Sequence, residues 1–268
     1  MAAGAQTTRV LIVGDSWAEQ QVDDNSHQVV FTANGYPNIR VDGSTTAISG
    51  TEAADWVAPG QLTIIGTALA TQPDIDTVQL TLGGNDFLAA WRADMTMMEE
   101  MALQQQISDD LQIIINFILD QNPDIEIILS FYDYPNFVDT LGGISGIFCN
   151  PLFNDMSQPT PTELNSAARR FEDSYTLLAM ANERVHHVTH FGQMQFNFGF
   201  PDDGIQPGDI PLPGDLSLPT PPAAMRVTLG VLDCFHLRAE GYDLLVQNLF
   251  DQYYAQRFSD TIFASGFE

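Results

Sequence analysis

Serine, histidine and aspartate can together build a nucleophilic centre for acyl transfer, and each occurs here where a loop could present it. Ser16 lies in the stretch RVLIVGDSW (9–17), with Gly14 and Asp15 between it and an apolar run. His236 lies in LDCFHLRAEGY, with Asp233 three residues before it. The chemistry needs a hydroxyl activated by an imidazole, an acid that orients the imidazole, and donors for the oxyanion that forms. An aspartate so close upstream can fold back on the histidine, fix its tautomer and stabilise the imidazolium. Taken alone, Gly14-Asp15-Ser16 is also ordinary turn and helix-cap sequence, and D-x-x-H is a common spacing. Asp15 and Asp86 read as loop and helix-start residues that bind backbone N–H groups.

The remaining histidines allow other chemistry. In VHHVTHF (185–191), strand alternation would put His186 and His190 on one face; they read as a metal pair lacking a third ligand or as edge-strand residues. The expectation is no metal and no cofactor. His27 has no partner in sequence and reads as a surface residue. Asp202, Asp203, Asp209 and Asp215 match no calcium-loop spacing and read as solvated surface.

The elements that must position these residues follow from periodicity. RVLIV (9–13), VQLTL (78–82) and IEIILSF (125–131) read as buried strands, with NIRVDG (38–43) and VHHVTHF as further candidates. Helical spacing of apolar residues runs through about 86–121, with a break inside it, 161–183 and 239–257. Strand–helix–strand repetition predicts a mainly parallel sheet with helices on both faces, in a single domain over residues 1–268. Such a sheet places ligand sites at the carboxyl ends of its strands, which is where GDS and GGND fall. Residues 201–222 hold seven of the fifteen prolines and interrupt the pattern. Proline removes backbone donors, so this insertion is neither helix nor central strand and must cross the surface, as a wall or lid for the His236 site or as a stiff loop. Residues 259–268 read as a tail that docks or directs sorting.

Composition bounds the rest. Among the 268 residues, 35 are acidic and 9 basic, giving −26, and every basic residue is Arg. Such a surface repels nucleic acid and anionic lipid. No window approaches the ~20 apolar residues of a membrane span. MAAGAQTT lacks a basic flank and an apolar h-region and reads as a mature N-terminus with an added Met, expected of a secreted or periplasmic bacterial protein after signal removal. The two cysteines, Cys149 and Cys234, read as one disulfide in an oxidising compartment or as two buried thiols.

In order along the chain, the motifs resemble the SGNH, or GDSL-type, serine hydrolase family. GDSW carries Ser16; AISGTEAADW resembles the second block through Gly50; TLGGNDF matches G-x-N-D through Asn85; DCFHLRAEGY matches D-x-x-H through Asp233 and His236. The resemblance implies a flavodoxin-like three-layer α/β/α sandwich with a five-stranded, mainly parallel sheet. It implies Ser16 as nucleophile, His236 as base, Asp233 as its orienting acid, and an oxyanion hole from the N–H groups of Ser16 and Gly50 and the amide of Asn85. Trp17 replaces the family's leucine and sets an aromatic beside the nucleophile. A Cys149–Cys234 disulfide would tie the histidine loop to GGISGIFCNPLFN.

The activity so implied is hydrolysis of carboxylic esters by a monomeric serine esterase through an acyl-enzyme. Trp17, Phe87, Tyr134 and Phe235 are candidate substrate-binding residues, and they favour a short- to medium-chain acyl or an aryl group. Alternatives are a carbohydrate acetylesterase, a lysophospholipase or thioesterase, an acyltransferase, or a non-catalytic secreted binding protein on the same fold.

Overall fold

Strand β1 (Thr7–Gly14) shows how the layers assemble, because its neighbouring side chains go to opposite sides. In this computed structural model, which describes residues 5–264, Leu11 and Val13 enter one apolar layer, and Val10 and Ile12 the other. Both faces are covered, which is why the run is continuously apolar rather than alternating. With β2 (Ile39–Asp42), β3 (Thr77–Thr81), β4 (Glu126–Ser130) and β5 (Val185–Val188), β1 forms a five-stranded sheet in the order β2-β1-β3-β4-β5. Every pairing is parallel. This strand order is that of the flavodoxin-like sandwich the resemblance implies.

The helices in chain order are α1 (Ser16–Asp23), α2 (Ser26–Ala33), α3 (Ala53–Trp56), α4 (Pro59–Thr71), α5 (Gly84–Ala90), α6 (Met97–Gln121), α7 (Ser145–Asp155), α8 (Pro161–Ala181), α9 (Gln193–Phe198), α10 (Ala239–Leu249) and α11 (Ala255–Ala264). Residues of α4, α6 and α8, among them Ile65, Ile114 and Phe171, pack on the Leu11 side. Residues of α2 and α10, with Tyr254 and Phe258, pack on the other. No helix among the described residues is long and apolar enough to cross a membrane.

The helical stretch expected near 86–121 breaks after α5 and restarts at Thr96, whose side chain accepts from the N–H of Glu99 while the Glu99 carboxylate accepts in return. The helix expected to end near 257 passes through one π-helical turn, Phe250–Tyr254, into α11, so residues 259–264 extend a helix rather than begin a tail. Residues 265–268 of that expected tail lie outside the described residues. His27 corrects the surface expectation: it is fully buried, and its Nε2 lies 2.7 Å from Gln79 Oε1. Burial pushes its pKa down to about 4. Strand alternation turns Gln79 into the layer where α2 packs, so a polar partner must be buried with it.

The proline-rich insertion keeps to the surface, and amide side chains hold it there. Prolines leave its carbonyls short of backbone donors, and buried residues outside it supply them. Gln195 Nε2 donates to the carbonyls of Asp215, Leu218 and Pro219, and Gln195 Oε1 accepts from the N–H of Asp215. Asn165 donates to Leu216 and Leu218, and Asn136 to Thr220. Replacing Gln195 by Leu removes this set together. The expected outcome is about 2 kcal/mol of lost stability and faster proteolysis within 201–222, measured by urea unfolding and limited digestion.

After the insertion, β6 (Met225–Thr228) and β7 (Val231–Leu237) form an antiparallel hairpin outside the main sheet. Cys149 of α7 is disulfide-bonded to Cys234 of β7, across 85 residues of sequence. Closing so long a loop restrains the unfolded chain by about 4 kcal/mol in the chain-entropy model. Reduction is therefore expected to lower the melting temperature by roughly 5–10 °C. Unaltered melting with two titratable thiols in the native, unreduced protein would remove the bond from the account.

Candidate active site

Ser16 is the first residue of α1, directly after β1, and is almost wholly buried. At this position its N–H has no acceptor within the helix and points out of the helix N-terminus. Asp15 caps the helix, its Oδ1 accepting from the N–H of Trp17 at 2.9 Å. Its other oxygen accepts from the Tyr132 hydroxyl, just past β4. Asp15 is fully buried, which raises its pKa to about 7 against the lowering effect of those donors. The cap reading of Asp15 holds, and its tie to Tyr132 was invisible in the sequence.

The hairpin brings His236 to Ser16. Its register jumps from Val227 opposite Leu232 to Met225 opposite Leu237, so residues 233–236 bulge out of the ladder. Inside that bulge Asp233 Oδ1 accepts from the N–H groups of Phe235 at 2.8 Å and His236 at 2.9 Å. Its Oδ2 lies 2.9 Å from His236 Nδ1, and His236 Nε2 lies 2.9 Å from Ser16 Oγ. A carboxylate at Nδ1 requires the proton there, leaving Nε2 as acceptor of the Ser16 hydroxyl. Burial works to raise the Asp233 pKa, but the histidine and the two N–H groups outweigh it and hold the group below the usual carboxylate range.

Gly50 and Asn85 border the same cleft. Gly50 has φ +78, a conformation that favours glycine, with open space where a Cβ would stand. Asn85 Nδ2 donates to the Thr51 carbonyl at 3.0 Å, which orients the amide and leaves its second N–H. Both oxygens of Asp86 accept from the N–H of Ala53, at 3.1 and 2.9 Å, clamping the second block to the third as its loop-holding role requires. Burial raises the Asp86 pKa to about 6. A Cβ on Gly84 would stand 2.1 Å from the Tyr132 ring, so the second glycine of GGND gives that ring its space.

The cleft has a volume of about 250 Å³. Trp17, Leu88, Ala89, Tyr132, Leu152 and Phe235 line it, with Glu52 as a charged residue at its wall. Trp17 stacks on Tyr132 with ring centroids 4.4 Å apart. Trp17 and Phe235 are thus at the cleft. Phe87 is not: it lies behind the lining, packed on Phe171 and Trp91, and shares only a narrow adjoining crevice with Trp17. Tyr134 is also away from it, stacked on Phe191 with its hydroxyl donating to the Pro213 carbonyl. Nor does any residue of 201–222 line the cleft, which corrects the wall or lid expectation. The signal for Leu88, Ala89 and Leu152 was absent, because their place depends on how α5 and α7 pack.

The clustered histidines separate. His186 meets Glu126 at 3.0 Å, His187 meets Glu172 at 3.2 Å, and His190 is buried beside Asn248. Among the described residues no group of three or more His, Cys, Asp or Glu side chains is placed to hold a metal ion.

The parallel α/β sandwich thus carries Ser16 and Asn85 just past the carboxyl ends of β1 and β3, and the β6–β7 hairpin sets His236 against Ser16. The chain belongs to the GDSL-like lipase/acylhydrolase family, whose model matches residues 12–244. It is a carboxylic ester hydrolase. Among solved structures it is similar to the extracellular lipase of Streptomyces rimosus, with TM-score 0.53, 16% identity, and 91% of this chain and 99% of that chain covered. The inhibitor-bound aryl esterase of M. smegmatis gives TM-score 0.54, 13% identity, and 93% and 99% coverage. A carbohydrate acetylesterase family member from Sinorhizobium meliloti gives 0.50, 17%, 91% and 95%. Among curated proteins none matches by sequence.

Buried carboxyls at this edge set a pH dependence. Asp133, fully buried, accepts from the N–H groups of Tyr134, Gly192 and Met194, and burial nonetheless raises its pKa to about 7. A raised folded pKa means that the folded state binds the proton more tightly. That contribution is fully present below the ordinary value of 3.8 and is lost as pH rises through about 7. Asp133→Asn is expected to flatten the fall in unfolding midpoint across that window, and a slope equal to wild type would exclude it as a source.

Proposed function

We propose that the protein is a serine esterase that hydrolyses carboxylic esters of short- to medium-chain acyl or aryl groups through an acyl-enzyme. The observation that carries this reading is the hydrogen-bonded row Ser16 Oγ, His236 Nε2, His236 Nδ1, Asp233 Oδ2 at the mouth of a mostly apolar cleft. Ser16 Oγ attacks the ester carbonyl carbon while His236 Nε2 takes its proton. The oxyanion is met by the N–H groups of Ser16 and Gly50 and by the Asn85 amide. Collapse expels the alcohol, which takes the proton from His236. A water then attacks the acyl group with His236 again as base, and the acid leaves with Ser16 restored.

Trp17, Tyr132, Leu88, Leu152 and Phe235 supply apolar walls, which supports an acyl chain or an aryl ring over a purely polar sugar. Glu52 at the cleft and a net charge of −26 disfavour anionic substrates. The Cys149–Cys234 bond supports residence in an oxidising compartment, outside the cytoplasm.

A chain-length series of p-nitrophenyl esters tests the reading. Ser16→Ala is expected to abolish turnover, Asn85→Ala to lower kcat by about 10²–10³, and Asp233→Asn by up to about 10⁴. Full activity in Ser16→Ala, or no cleavage at any chain length, would sink it. Added alcohol acceptors separate hydrolysis from acyl transfer.

A further inference from the structure

The disulfide-linked helix and the histidine hairpin share a property that catalysis does not use. Helix α7 buries Cys149 and Gly146 but leaves Ile147 and Phe148, and Ile144 at its N-cap, at 68%, 69% and 63% exposure. At this spacing they form one stripe, and Leu152, one turn beyond Phe148, lines the serine cleft. On the hairpin, Val227 is 60% exposed and Leu229, at the tip, 99% exposed. Leu229 also holds φ +52, a left-handed conformation that leucine rarely adopts. The two elements meet where Ser145 Oγ accepts from the N–H of Leu232, and again at the disulfide.

Charge singles out the same surface. In a chain of net charge −26, residues 140–154 contain no charged side chain. Across 225–232 the sole charge is Arg226, which is paired with Asp24. An apolar, uncharged rim on an otherwise acidic body complements a surface that is apolar and electrically neutral, and the acidic remainder is repelled by anionic ones.

We propose that this rim docks the enzyme on electrically neutral lipid surfaces, with Ile144 at the N-cap of α7, Ile147 and Phe148 within it, and Val227 and Leu229 of the hairpin entering the interface beside the cleft. The docking does not depend on the ester chemistry. It is read with Ser16→Ala, which leaves the lipid intact, by flotation with vesicles of dioleoylphosphatidylcholine and, separately, of dioleoylphosphatidylglycerol. The Ser16→Ala protein is expected to float with the neutral vesicles and to stay in solution with the anionic ones. Adding Ile147→Gln, Phe148→Gln and Leu229→Asn, the last to a residue that tolerates positive φ, is expected to weaken flotation by about a hundredfold.

With Ser16 intact, the same three changes are expected to leave turnover of soluble p-nitrophenyl acetate within about twofold of wild type. That figure also reports that the variant is folded. The single change Leu229→Asn should weaken flotation partway. No flotation with neutral vesicles, equal flotation with anionic ones, or undiminished binding in the triple variant overturns the proposal. So does a dimer that the triple variant converts to monomer, which would assign the rim to a second copy of the chain.

Discussion

Buried carboxylates that gather backbone N–H groups hold together the edge on which the candidate site stands. A parallel sheet delivers its chain exits to one side without fixing where they go next. Here Asp15 after β1 is joined to Tyr132 after β4, Asp86 after β3 to Ala53, and Asp133 after β4 to Gly192 and Met194 after β5. Each acid therefore ties the exit of one strand to the loop of another. Asp233 repeats the device inside the hairpin and adds the imidazole to its ligands.

This construction costs solvation. Burial lifts Asp15 and Asp133 to about 7 and Asp86 to about 6, in spite of the donors they collect. Asp233 goes the other way, because His236 and two backbone N–H groups face it. The edge thus separates carboxyls that anchor loops from the one carboxylate placed against the imidazole. The same logic extends to the proline-rich insertion, where amides rather than acids are needed because the unsatisfied groups are carbonyls.

The two covalently joined elements give the histidine its rigidity. His236 sits in a bulge of a two-stranded hairpin, which alone would be a mobile perch. The bond from Cys234 to Cys149 and the contact of Leu232 with Ser145 fasten it to α7. The same fastening carries the uncharged stripe of α7 to the border of the cleft.

Much of this was legible in the chain. Continuous apolar runs marked β1, β3 and β4, since strands covered on both faces cannot hide their burial, whereas β2 and β5, at the sheet's two edges and only partly buried, showed as weaker candidates. GDSW, GGND and DCFH singled out Ser16, Asn85, Asp233 and His236, which the structure brings to one cleft or into hydrogen bonds beside it. What sequence could not supply were relations between distant segments: that His27 lies buried on Gln79, that Tyr134 supports the insertion while Tyr132 reaches Asp15, and that Leu88 and Leu152 face Ser16. Periodicity reports which face of an element is buried, but not what it is buried against. Those partners are chosen by packing between elements far apart in sequence, and that only the tertiary structure decided.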